Sequence, residues 1–294
     1  MTRAKGPDRF VSARIGVPDL DASVAFYQTY VGLELVKNEG DRAFLRAGLP
    51  HHALELVHRP GIPKAEVAAI TFATGKRDVL ENRRESVAKL GYDVRPLSEG
   101  TAAYCADGFA VTGPNGLEWE FVHGYYEYVE PPFLVSTPDR IMHPFVRTDD
   151  YGATLQLATD GFGLQISDYV EDAMTFLRCE DRYHHSLALL KGSEFRIQHF
   201  SFIVADFDHL MRARARAQSH GITIKTDLVK HSGSTTIAFY LLEEAHGPEI
   251  ELSYGHRRFS EEDHETAEPR RLASGARTEF DLWRESDSDW RGLH

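Results

Sequence analysis

The sequence predicts an α+β protein of four βαβββ units, paired into two open-barrel domains. Three observations predict it. Residues 116–124 read Gly-Leu-Glu-Trp-Glu-Phe-Val-His-Gly and residues 247–255 read Gly-Pro-Glu-Ile-Glu-Leu-Ser-Tyr-Gly, so a glycine-bounded strand pattern recurs with glutamates at the same offsets. A strand feeding a capped helix also recurs: residues 15–17, Asp19, 22–30 and Gly32 in one place, residues 200–204, Asp206, 209–219 and Gly221 in another. Aspartate satisfies the free N–H groups at a helix start, and glycine adopts the left-handed conformation that ends one. Between the halves, Pro131-Pro132 interrupts any regular element.

The units lie near residues 10–60, 65–125, 138–192 and 196–256, each helix being followed by β-rich stretches such as 33–36, 93–96, 164–168 and 222–225. Pairing them gives an N-terminal domain over 1–130 and a C-terminal domain over 138–256. The remainder, 257–294, is polar and charged, and is expected to dock as a tail through Trp283 and Trp290 rather than to form a third domain.

Composition narrows the function. A net charge of −12 disfavours nucleic acid and anionic membrane as partners, because both need basic surface. No apolar run approaches the ~20 residues of a membrane helix, and the basic start lacks the apolar core of a signal peptide. Only Cys105 and Cys179 are present, so a reducing cytoplasm is expected. A small molecule is the expected partner.

Comparing the halves locates the chemistry. Counting back from Val17 and Val146 sets Arg14 opposite His143; the next equivalent strands set Ala69 opposite His199, and Glu120 opposite Glu251. Arginine has no lone pair for a metal and alanine has no donor atom, so only the C-terminal half is expected to bind one. Alternation in 198–204 sets Phe200, Phe202 and Val204 on one face and His199 and Ser201 on the other. Two imidazoles and a carboxylate that leave positions open suit non-haem iron(II). Glu249 and Glu251 share a strand face, so alternation leaves the choice between them open.

These residues resemble the type I extradiol ring-cleavage dioxygenases of the vicinal oxygen chelate superfamily, over residues of about 10 to 256. The matching segments are Met142-His143-Pro144, Gln198-His199-Phe200, Glu249-Ile250-Glu251 before Tyr254-Gly255, His184-His185-Ser186-Leu187-Ala188, and His231 nine residues ahead of Tyr240 in Phe239-Tyr240. The resemblance implies a vicinal oxygen chelate fold and an Fe(II) site, with Mn(II) as the alternative, held by His143, His199 and Glu251. It implies that His185 is an acid–base group, and that Tyr240 and His231 hydrogen-bond the oxygens of a catechol cleaved by O2. It also implies a homo-oligomer. His184 and His185 are adjacent on an expected strand and point to opposite faces, so replacing His184 is expected to matter little.

Two features depart from the pattern. Ser234 stands where the biphenyl branch has aspartate, and the stretch from Tyr240 to Glu251 is one residue longer. The rival readings are a hydroxyphenylpyruvate-type dioxygenase or glyoxalase-like isomerase of the same superfamily, and a metal-free binder of the bleomycin-resistance kind. Glyoxalases draw ligands from both halves, against which Arg14 and Ala69 argue. Lys225 and Lys230 are candidates to hold a substrate carboxylate.

Overall fold

The computed structural model describes residues 5–133, 136–272 and 281–283. The first half runs β1 (Arg9–Val17), α1 (Leu20–Phe26), β2 (Glu34–Asn38), β3 (Arg42–Arg46), β4 (Leu54–His58), β5 (Glu66–Thr74), α2 (Arg77–Lys89), α3 (Glu99–Ala102), β6 (Asp107–Thr112) and β7 (Glu118–His123). The second runs β8 (Arg140–Thr148), α4 (Tyr151–Gln156), β9 (Gln165–Val170), β10 (Met174–Arg178), β11 (Leu187–Lys191), β12 (Arg196–Ile203), α5 (Phe207–Ser219), β13 (Ile224–Lys230), β14 (Ile237–Leu241) and β15 (Glu249–Tyr254). Then follow α6 (Glu261–Thr266) and β16 (Arg270–Leu272).

The first sheet has the order β2-β3-β4-β1-β5-β7-β6, the second β13-β14-β15-β12-β8-β11-β10-β9-β16. Three of the four expected βαβββ units are complete. In the second unit the strand after the helix shrinks to a single bridge, Arg95 to Ala110. The expected helix signals hold at both ends: Asp19 accepts from the Ala22 N–H and Asp206 from the His209 N–H. Gly32 ends its helix at φ 87°, and a Cβ there would lie 2.3 Å from the Ser136 carbonyl oxygen, so glycine is needed twice over.

One apolar core runs through both halves. Phe10 of β1 stacks on Phe200 of β12 with centroids 6.3 Å apart, and Phe162 packs 5.4 Å from Trp119. Phe200, Phe202 and Val204 turn into this core, as alternation requires, which leaves His199 on the concave side of the second sheet.

The match between halves corrects the sequence alignment at one position. β1 and β8 are equally long, and laying them end to end sets Ser12, not Arg14, at His143. Cross-strand pairing agrees: Ser12 faces Thr71 as His143 faces Ser201, while Arg14 faces Ala69 as Phe145 faces His199. A slip of two residues keeps every side chain on its face, so strand alternation could not detect it. Ser12, Ala69 and Glu120 still offer no two-histidine site. Arg14 fills the equivalent space, bonding Glu55 at 2.8 Å and Glu120 at 2.6 Å. Burial opposes its charge, but the two carboxylates more than offset that and hold it cationic.

Removing one partner of a buried ion network strands the others, at a cost of about 3–5 kcal/mol. Arg14→Met should therefore lower unfolding free energy by about that much in a denaturant titration. It should leave metal content of the second half unchanged. An unaltered unfolding midpoint would show that the network contributes nothing.

Candidate metal centre

Three adjacent strands carry the donors: β8 supplies His143, β12 His199 and β15 Glu251. Their sheet register, with β12 between the other two, brings the three side chains to one point. The Nε2 atoms of His143 and His199 are 3.2 Å apart, and Glu251 Oε2 lies 3.3 and 3.4 Å from them. Ligands about 2.1 Å from an ion stand about 3.0 Å apart in octahedral and about 3.4 Å apart in tetrahedral geometry, so the triangle has the size of one coordination face. Burial pushes the His143 imidazole down to about 4, opposed by Glu251, so it is neutral and available as a ligand at neutral pH. Burial alone would raise the Glu251 carboxyl, but the two imidazoles hold it well below the usual range. A buried carboxylate flanked by two imidazoles, each able to offer a lone pair, fits a divalent cation. Glu249, on the same strand face, turns instead to Lys225.

The triangle opens into a cavity of about 360 Å³ that also receives His185, His231 and Tyr240. His185 Nε2 is 3.3 Å from His143 Nε2. His231 Nε2 is 2.9 Å from the Tyr240 hydroxyl and 3.7 Å from Glu251 Oε1. Burial, reinforced by Glu251, raises the Tyr240 phenol well above its ordinary value, which keeps it a proton donor. Phe145, Met174, Phe176, Val229 and Leu272 supply apolar walls. Lys225 is engaged by Glu249 and Lys230 by the Thr235 carbonyl, so neither is poised for a substrate carboxylate. Ser234 is buried and shares a 2.7 Å hydrogen bond with Thr236.

Two expectations need correcting here. The His184-His185 pair precedes β11 and is not part of it. His185 alone of the two reaches the cavity, as expected, yet His184 is joined to it, Nδ1 to Nδ1, at 3.0 Å. The sequence reading also missed His256, which is partly buried with its ring 4.8 Å from that of His185 and with a buried Nε2 that has no hydrogen-bond partner. Nothing in its local sequence distinguishes it. It missed as well that the first half keeps a histidine pair, His51-His52, joined at 3.0 Å in the same way. The likeness of His51-His52-Ala53-Leu54 to His184-His185-Ser186-Leu187 was there to be read.

Arg270–Leu272 of the polar tail join the second sheet. β16 pairs in parallel with β9, placing Leu272 on the cavity wall, and Phe259 and His264 are buried. Among the described residues, docking comes from this strand, these two rings, and Asp281 and Leu282, which hydrogen-bond to the Lys230 backbone. Trp283 is half exposed, and Trp290 lies outside the described residues. Truncation after Phe259 should lower the melting temperature and raise KM, since it bares the β9 edge and one cavity wall. Unchanged melting and kinetics would show the tail to be dispensable.

The family model of the Glyoxalase/Bleomycin resistance protein/Dioxygenase superfamily matches residues 9–121 and again 140–252. The chain is 26% identical to a manganese-dependent 2,3-dihydroxybiphenyl 1,2-dioxygenase of Geobacillus genomosp. 3, over 81% of this chain and 82% of that protein. It is 26% identical to a 1,2-dihydroxynaphthalene dioxygenase of Sphingobium xenophagum, over 77% and 81%. In fold it resembles a homoprotocatechuate 2,3-dioxygenase from Arthrobacter globiformis, with a TM-score of 0.83, 20% identity and coverage of 98% and 92%. It resembles equally a Mn(II)-bound glyoxalase from Novosphingobium aromaticivorans, with a TM-score of 0.82, 23% identity and coverage of 95% and 91%. Matched in both halves, which between them span most of its length, the chain belongs to the glyoxalase/bleomycin resistance/dioxygenase superfamily.

Proposed function

We propose that the protein is an extradiol dioxygenase that opens a catechol ring beside the diol, placing both atoms of O2 in a muconic semialdehyde or its ketone analogue. The observation that carries this is the His143–His199–Glu251 triangle facing a cavity that also holds a histidine, His185, and a His231–Tyr240 pair. A bound Fe(II), or Mn(II) in its place, supplies the template and electron conduit between the two reactants. The residues supply the rest. Tyr240 and His231 hydrogen-bond the substrate oxygens and favour the chelating, deprotonated form. His185 takes up a proton and returns it as the ring opens, a task suited to imidazole. The apolar wall keeps water from the reacting atoms.

With Lys225 and Lys230 already engaged, the cavity favours a catechol bearing an uncharged, apolar substituent. The test is a panel of alkyl-, aryl- and carboxyl-substituted catechols, presented with air to protein purified and metal-loaded anaerobically. Yellow ring-fission product is expected, fastest with the apolar members. Bound iron or manganese without product or O2 uptake across the panel would defeat the reading, and protein that takes up no metal would favour a binding role.

The same reading includes a cytoplasmic homo-oligomer. Cys105 and Cys179 are both free thiols, and Val129 and Phe133 are 97% and 91% exposed, apolar surface that a second copy would cover. No helix among the described residues is long and apolar enough to cross a membrane. Light scattering that gives one chain per particle would remove the oligomer.

A further inference from the structure

Behind His185 a chain of polar groups, buried at His184 and Asp168 and reaching the surface at Arg270, leads away from the cavity to the tail strand. Arg270 of β16 donates from Nε to Asp168 Oδ1 at 2.8 Å and from Nη2 to Oδ2 at 2.6 Å. A carboxylate held at both oxygens by a guanidinium stays ionised and only accepts. Asp168 has no exposed surface, and His184 Nε2 stands 2.5 Å from its Oδ2. His184 must therefore carry its hydrogen on Nε2.

Burial holds the His184 imidazole below its ordinary value although Asp168 opposes this, so the ring is neutral and has one proton. Its Nδ1 is then a lone pair. The atom facing that lone pair, at 3.0 Å, is His185 Nδ1, which must be the donor. His185 Nε2 is left unprotonated, pointing toward the donor triangle. In the first half the equivalent His51 stacks on Tyr104, with centroids 3.6 Å apart, where His184 meets Asp168. The carboxylate belongs to the half that holds the metal site.

We propose that Arg270, Asp168 and His184 form a positioning chain that locks His185 in the Nδ1–H tautomer, with its Nε2 lone pair turned toward the substrate. His184 and Asp168 are positioning residues and touch no reactant. The kinetic arm rests on the ring-cleavage reading; the tautomer does not. The chain also gives the tail strand a task, since Arg270 lies beyond the segments matched by the family model.

The test uses the full-length chain. Long-range ¹H–¹⁵N NMR of histidine-labelled, metal-free protein should show His185 protonated on Nδ1 and His184 on Nε2. In Asp168→Asn the guanidinium retains the amide oxygen and the NH2 faces His184, so both tautomers should invert. In metal-loaded protein kcat should fall roughly 10²- to 10⁴-fold with KM within a few-fold, the loss expected when an acid–base group presents the wrong atom. His184→Gln, whose amide can donate to Asp168 and accept from His185, should keep kcat within roughly tenfold, whereas His184→Phe should lose as much as Asp168→Asn.

Wild-type His185 protonated on Nε2 would overturn the proposal. So would Asp168→Asn with unchanged tautomers, or His184→Gln as impaired as His184→Phe at equal melting temperature. Correct tautomers in a protein that opens no catechol would leave the positioning chain standing and remove the reaction.

Discussion

Replacing Glu251 or His199 with alanine should strip the chain of its metal and reduce turnover to background, while Glu120→Gln should keep its metal. Glu251 is the sole anionic donor in the triangle, and it is buried at 3% exposure. Without it a divalent cation would sit between two neutral imidazoles with no compensating charge, which a buried site does not support. Without His199, two donors remain on strands that no longer share a target. Glu120 occupies the place of Glu251 in the first half, yet its partners are Arg14, Thr71 and Thr101. Burial raises its carboxyl despite these contacts, so the change to glutamine should alter stability and not metal content. Metal analysis of anaerobically purified variants decides the matter. Metal lost from Glu120→Gln and kept in Glu251→Ala would place the site in the wrong half.

The next largest effect is expected at His185. Its Nε2 is 3.3 Å from a ligand nitrogen but belongs to none of the three donor contacts, so metal should stay when it is replaced. Anaerobic catechol affinity should remain within a few-fold of wild type. The oxygen-dependent steps should slow roughly 10²- to 10⁴-fold, as for other positioned acid–base groups. Asparagine should harm less than phenylalanine, because it still offers a hydrogen bond to the reacting oxygens. Stopped-flow mixing of the anaerobic substrate complex with O2 separates these steps. Metal lost with His185 would make it a ligand, and an unslowed oxygen reaction would leave it a bystander.

How legible was this in the sequence? That His143, His199 and a glutamate would meet at one point was legible, because strand alternation turns His199 from the core and the repeat exposes what one half has and the other lacks. The choice of Glu251 over Glu249 came from the family resemblance alone. The pairing of His143 with Arg14 was off by two, a slip that strand periodicity cannot register. His256 and the Asp168–His184 contact were not legible, since they join residues from separate loops and strands with no spacing to mark them. The task of 270–272 was hidden because a three-residue strand is too short to show a period, and its charge reads as solvated tail.

The order of strands in the second sheet has a consequence for how the protein is made. β8 meets β12 only after the connection through α4 and three further strands, and β12 pairs in parallel with β15, beyond α5 and two more. Long-range closures of this kind are slow, since distant segments must meet before any contact rewards the search. A ribosome-bound chain that ends before Glu249 has both histidines but no Glu251 strand, hence no complete donor triangle for an ion. The candidate metal site is therefore completed only when β15 has been made, and β16, with Leu272 on the cavity wall, follows it in the chain.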